Sequence, residues 1–341
     1  MIIIFILICV CLLNSMNISW KGINEQYLSK ENTSVIKGVF ILFVFMSHIR
    51  GYADFTNKID NNVLLILDYF GQLMVALFLF YSGYGVFESI KRKPYQYINS
   101  FPTHRIVKTF LDFSFAIMLF WLLSVCIGVR YSIYDVILSL TGWRSVGNSN
   151  WYMFAIFTLY IMTYFVFRLM HHNNFKSLCM ISIGSIIYVL ILSEIQPTRF
   201  SNTYLCYIVG MWYSYFKENI DIILKKNNIN YYIITCLILI LYLSFYSNRG
   251  INIFVYNITA ILFSLLIVSI TLKFNFSSQV LSWFGKHLFW IYIIQRIPMI
   301  FFNYLGLSSY PYVFLLLSFI FTVLFANYLQ IFTSYLKNRI L

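Results

Sequence analysis

The chain has 341 residues, of which 60% are hydrophobic, 21% aromatic and only 10% charged, with a net charge of +13. A soluble domain of this length carries about a quarter charged residues to face water, so the composition excludes one and makes lipid the solvent for much of the chain. The positive charge does not indicate nucleic acid as a partner, because no long basic run lies on a polar, water-facing segment; Lys and Arg collect between apolar stretches instead.

Those stretches predict an all-α, polytopic transmembrane bundle. Eleven hydrophobic segments follow in order at about 1–19, 36–54, 63–87, 105–128, 151–168, 177–194, 203–216, 231–247, 251–272, 280–304 and 311–336. The runs are continuous rather than alternating in period two, which excludes a transmembrane barrel. The first has no basic residue before it and no small-x-small cleavage site after it. It therefore reads as a retained helix rather than a signal peptide. The stretch 134–142 is too short to span and reads as a re-entrant or interfacial piece. No repeat, Pro/Gly-rich linker or water-soluble domain interrupts the series. The organisation is an N-terminal helix and loop over 1–35, then one membrane domain over 36–341. The six cysteines lie in apolar spans without a His at ligand spacing, so no metal site is expected.

Loop charges orient the bundle. With the 20–35 loop in the cytoplasm, seventeen basic residues fall inside: Lys21, Lys30, Lys37, Lys91, Arg92, Lys93, Arg105, Lys108, Arg168, Lys176, Lys217, Lys225, Lys226, Lys273, Lys286, Lys337 and Arg339. Six fall outside: Arg50, Lys58, Arg130, Arg144, Arg199 and Arg249, while Arg296 lies within a span. The positive-inside rule thus puts the N-terminus outside and the C-terminus in the cytoplasm. The richness in Ile, Asn, Lys, Tyr and Phe fits a low-GC genome, and hence a bacterial cytoplasmic membrane.

An ionisable residue inside a span is costly and marks a functional candidate. Lys37 and His48 are eleven steps apart, three helical turns plus about 20°, so they share a face about 16 Å apart along the axis. Snorkelling of Lys37 and a hydrogen-bonded helix-end role for His48 are the ordinary alternatives. In Phe80-Tyr81-Ser82-Gly83-Tyr84-Gly85, small residues allow close approach of a ligand or of another helix. Arg105 and Lys108, three apart at the entry to the fourth segment, suit a phosphate-rich ligand. The alternative there is a topological anchor, with Lys108 paired to Asp112.

These features in this order resemble the acyltransferase-3 family of integral-membrane acyltransferases. That family has a basic residue, ten residues and a histidine, matched by Lys37 and His48. A Phe-rich run ending in Ser-Gly-Phe/Tyr is matched by Phe78, Phe80, Ser82, Gly83 and Tyr84, and an arginine-containing span entry by Arg105. A Trp-Tyr pair corresponds to Trp151 and Tyr152, and a late Gly-Lys…Tyr pattern to Gly285, Lys286 and Tyr292. The resemblance covers about residues 36–336. The sequence departs from it in having Lys37 where Arg is usual, Leu288 where Ser is frequent, and Gln295-Arg296 where many members carry His. The first helix is additional to the usual ten-span core. Residues 291–298 are similar to members encoded with capsule and surface-polysaccharide genes.

The resemblance implies transfer of an acyl group, most often acetyl from acetyl-CoA, to a carbohydrate hydroxyl. Lys37, Arg105 and Lys108 would hold the CoA phosphates. Ser82, Tyr84, Trp151, Tyr152 and Tyr292 would line the site. His48 would be the catalytic residue, either as general base, which an unperturbed pKa of about 6.5 suits, or as covalent acyl carrier. A flippase or polymerase of a lipid-linked glycan is the alternative. Against it stand the absence of a repeat between halves and the short outer loops.

Overall fold

The computed structural model describes residues 1–20, 22–170 and 173–340. Lys21, counted above among the cytoplasmic charges, lies outside them, and the side chains of Lys226, Lys337 and Arg339 are likewise not described. The chain is a helical bundle. Among the described residues, eight helices are long and apolar enough to cross a membrane. Helix α1 (Ile2–Asn14) has 13 residues and leads into strand β1 (Met16–Ile18). At about 1.5 Å per residue, α1 falls short of a hydrocarbon core of about 30 Å. Strand β1 pairs antiparallel with β2 (Phe274–Phe276), a two-stranded ladder that the hydrophobic pattern did not signal. Lys273 Nζ donates to the Gly22 carbonyl beside it, tying the N-terminal segment to the bundle.

Helix α2 (Lys30–Ile49) carries both Lys37 and His48 on one uninterrupted rod, started by Ser29, whose Oγ accepts from Asn32 N at 3.2 Å. The segment expected over 63–87 is two helices, α3 (Lys58–Phe70) and α4 (Leu73–Arg92). Between them Gly71 has φ +47, a conformation that L side chains rarely adopt and that ends α3. Helix α5 (Pro94–Phe101) runs through a π-helical turn (Pro102–Val107) into α6 (Lys108–Cys126). Pro102 has no N–H to donate, which loosens the helical ladder there and favours the wider turn. The short stretch near 134–142 is α7 (Ile133–Leu140). Then come α8 (Trp151–Leu169), α9 (Asn174–Ile195), α10 (Leu205–Lys226), α11 (Asn228–Ser247) and α12 (Ile253–Lys273). The expected segment 203–216 is the apolar half of α10, which continues into a charged half bearing Lys217, Glu218 and Asp221.

The segment expected over 280–304 is not one helix. It is three: α13 (Gln279–Lys286), α14 (Leu288–Ile294) and α15 (Arg296–Tyr304), broken at His287 and Gln295. Irregular backbone at membrane depth persists only where it is buried in protein or lines a cavity; His287, at φ −94 and ψ 8, is the larger departure, while Gln295 keeps right-handed helical dihedrals. The last helix is α16 (Pro311–Ile340). With the spans crossing in alternation, as the loop charges predict, one end of the bundle gathers Lys30, Lys91, Arg92, Arg168, Lys176, Lys217 and Lys273, and the other Arg50, Arg130, Arg144, Arg199 and Arg249. They are called the basic end and the far end below.

Two glycine crossings hold the helices that frame the site. A Cβ on Gly38 of α2 would overlap the Leu281 carbonyl, and one on Gly285 of α13 the Ser34 carbonyl. Likewise Gly83 of α4 lies against the Tyr207 backbone of α10, and Gly210 of α10 against Phe80. These close approaches need the missing side chains. Overpacking costs about 1–3 kcal/mol where neighbours can move, and backbone cannot. Gly210→Val should therefore lower the melting temperature of the purified protein clearly, while Gly85→Ala, with nothing within 4 Å of its added Cβ, should leave it in place. Equal melting of the two variants would remove this account of the crossing.

Candidate active site

A cavity of about 880 Å³ opens towards the basic end where α2, α4, the π-helical turn before α6, α8 and the α13–α14 break converge. This is near the upper end of the size range of small-molecule sites, about 300–1,000 Å³. Lys37, Arg105 and Lys286 line it, with Arg92 and Lys30 also contributing; Glu88 and Glu31 are the acidic residues of the lining. Glu88 is already engaged, by Lys91 Nζ at 2.6 Å and Ser214 Oγ at 2.8 Å. Arg105 projects from the π-helical turn and donates from Nε to the Tyr97 hydroxyl at 3.0 Å. Neither Lys37 nor Arg105 forms an ion pair among the described residues. The charged group acting on Lys37 is Arg105 itself. Two cations held in reach of each other inside a bundle repel, and an anionic ligand between them relieves that repulsion.

Deeper in, the walls become aromatic and hydroxylic. Ser82 and Tyr160 share a hydrogen bond of 3.0 Å, and both line the cavity with Tyr81, Tyr84 and Tyr152. The Tyr152 ring meets Tyr292 edge-on at 5.1 Å, so α8 and α14 touch at the inner limit of the cavity. Beyond this contact lies a cluster of buried polar atoms without partners among the described residues: Tyr292 hydroxyl, Gln295 Oε1, Arg296 Nε and His48 Nδ1. Arg296 is the charged neighbour of both His48 and Tyr292, and its guanidinium lies over the Tyr52 ring at 5.8 Å. An unsatisfied buried polar group costs about 1–3 kcal/mol. Four at one place, all on α2 and the broken α14–α15 segment, set this cluster apart from ordinary packing. Lys37 and His48 are surrounded by protein yet keep part of their surface accessible, as groups facing an internal space do.

The structure brings together Lys37, Ser82, Tyr84, Arg105 and Tyr152 around the cavity, and His48 with Tyr292 beyond it. Trp151 packs on Tyr152, with ring centres 6.2 Å apart, and is not in the lining. Lys108, expected to share a face with Arg105, begins α6 just beyond the π-helical turn and is not in the cavity lining. Within the Ser82-Gly83 pair, Ser82 lines the cavity and Gly83 packs against the Tyr207 backbone. Sequence reasoning passed over Tyr160, Lys286 and Arg296 as site residues. Arg296 carried a usable signal, being the one basic residue placed within a span; Tyr160 carried none among 28 tyrosines.

A family profile described as an acyltransferase domain, that of the acyltransferase-3 family, matches residues 32–329. No curated protein and no solved structure matches the chain.

Proposed function

The chain belongs to the acyltransferase-3 family, and from that premise we propose that it transfers an acetyl group from acetyl-CoA in the cytoplasm to a hydroxyl of a carbohydrate on the other side of a bacterial cell membrane. The observation that carries this reading is the order of groups through the bundle. Cations without an ion pair among the described residues line a cavity at the basic end, and a buried histidine–arginine–tyrosine cluster stands between that cavity and the far end. The basic end faces the cytoplasm by the charge bias of its loops, which places the N-terminus outside and the C-terminus inside.

Lys37, Arg105 and Lys286 hold the phosphates of the donor by charge-assisted hydrogen bonds; Lys108, outside the lining, adds only to the field at the mouth. Ser82, Tyr81 and Tyr152 line the path of the acyl arm towards His48. There the acceptor oxygen attacks the thioester carbonyl carbon while His48 takes the hydroxyl proton. Arg296, beside it, offers positive charge to the oxyanion that develops. The carbon–sulfur bond then breaks, CoA leaves as the thiolate, and the imidazolium returns the proton to sulfur. The acceptor is a cell-surface polysaccharide or its lipid-linked precursor. A flippase would need no thioester donor and no proton-accepting imidazole on the substrate path.

Reconstitution in sealed vesicles tests the reading. Acetyl-CoA supplied only at the basic end, with glycan only at the far end, should give acetylated glycan. Transfer that requires both substrates on one side would overturn the transbilayer mechanism, and glycan translocation without acetylation would restore the flippase.

A further inference from the structure

The far end carries a second pocket, about 290 Å³, whose lining includes Tyr131, Trp143, Arg144, Asn150, Gln196 and Arg199, together with Asp135. It is built from three connections: the α6–α7 loop with α7, the α7–α8 loop, and the α9–α10 loop. The α7–α8 wall is rigidly made. Asn150 Nδ2 donates to the Gly142 carbonyl at 2.8 Å, and Ser145 Oγ donates to the Asn148 carbonyl at 2.7 Å. The Val146 amide donates to Asn148 Oδ1 at 3.1 Å. Gly142 has φ +79, and a Cβ there would crowd the Phe154 nitrogen and the Asn150 carbonyl. A wall fixed in this way binds without a large ordering cost.

The lining chemistry is that of a sugar site: aromatic rings beside amides and a guanidinium. Charge decides which sugar. Asp135 is held below the ordinary carboxylate range by the Ser132 hydroxyl and by Arg144, so it stays an anion and cancels Arg144, which it meets at 2.5 Å. Arg199 has no ion pair or side-chain hydrogen bond among the described residues, and the pocket therefore keeps one uncompensated cation. That cation is also in electrostatic reach of Tyr292, and the lining residue Tyr131 is in reach of Tyr52, on which Arg296 lies. The pocket thus lies near residues of the His48 cluster.

We propose that this pocket is the acceptor subsite, that Arg199 selects a carbohydrate unit bearing a carboxylate, and that Trp143 packs against its ring. The proposal rests on the acyl-transfer reading above. A singly charged, planar carboxylate matches one guanidinium through paired bonds. A phosphate dianion would leave one of its two charges unmatched by the single guanidinium, which disfavours it.

The test uses the full-length protein in detergent, with tetragalacturonate, neutral maltotetraose and a phosphorylated maltotetraose as probes. Tetragalacturonate should bind at least tenfold more tightly than maltotetraose. Arg199→Gln should erase that difference without weakening maltotetraose binding, whereas Trp143→Ala should weaken both. CoA affinity, read at the basic end, reports whether each variant is folded. Equal binding of the acidic and neutral probes, or acidic binding indifferent to Arg199→Gln, would overturn the subsite and leave Arg199 as an interfacial anchor. Preference for the phosphorylated probe would overturn the carboxylate assignment. Acetylation of glycans without acidic preference would sink this inference alone. Arg199-dependent binding with no acetylation from acetyl-CoA would sink the acyl-transfer reading alone.

Discussion

Replacing His48 by Gln should abolish acyl transfer while leaving a folded protein that still binds CoA. His48 sits on the last turn of α2, and its Nδ1 makes no hydrogen bond among the described residues. A structural histidine at a helix end would be expected to make one. Gln keeps the polarity and much of the volume but cannot relay a proton. General-base catalysis is worth about 10² to 10⁴ in rate, so glycan acetylation by the purified variant should fall by at least a hundredfold, with its melting temperature and CoA affinity close to those of the native chain. His48→Ala should be equally inactive. Near-normal acetylation by the Gln variant would remove His48 from the chemistry, even though the family assignment would stand. A poorly folding variant would assign His48 to packing instead.

Most of the fold was legible because its largest energetic demand is also its simplest sequence signal. An apolar run of about twenty residues has nowhere to go but across lipid, and eight of the eleven expected segments are long apolar helices. The misses have local causes. Hydropathy does not register φ, so the turn at Gly71 was invisible inside 63–87. Nor does it register the breaks at His287 and Gln295, since both flanking pieces are apolar. The β1–β2 ladder joins segments more than 250 residues apart, a pairing that no local pattern encodes.

The site was legible where a side chain was out of place in lipid. Lys37 and His48 were singled out by that test and Arg105 by its place at a span entry, and Lys37 and Arg105 line one cavity. Lys108 lies outside the cavity lining, beyond a π-helical turn that the regular α-helical spacing of the sequence did not signal. Tyr160 and Tyr81 could not be picked out, because in a chain this aromatic a hydroxyl at a cavity looks like one more packed ring until its partners are known. Arg296 was placed within a span by the sequence, and the structure sets it beside His48 and Tyr292.

The double replacement Lys37→Met with Arg105→Gln should lower acetyl-CoA affinity by at least a hundredfold. A hydrogen bond to a charged group contributes about 1.5–3 kcal/mol, so each cation lost costs roughly tenfold or more in binding. The two effects should not add. Arg105 is the charge acting on Lys37, so removing either cation relieves repulsion on the other and changes its competence to bind the shared anion, and a double-mutant cycle should report this coupling. Stability should move the other way. With no carboxylate paired to either side chain among the described residues, the neutral pair removes an unfavourable contact from the free protein, and the melting temperature should hold or rise. Acetyl-pantetheine, a donor without the nucleotide phosphates, separates phosphate binding from damage to the cavity: its turnover should be little affected by the replacements. An unchanged CoA affinity in the double variant would leave Lys37 and Arg105 as topological anchors, and an equal loss with acetyl-pantetheine would show that they shape the cavity rather than hold the phosphates.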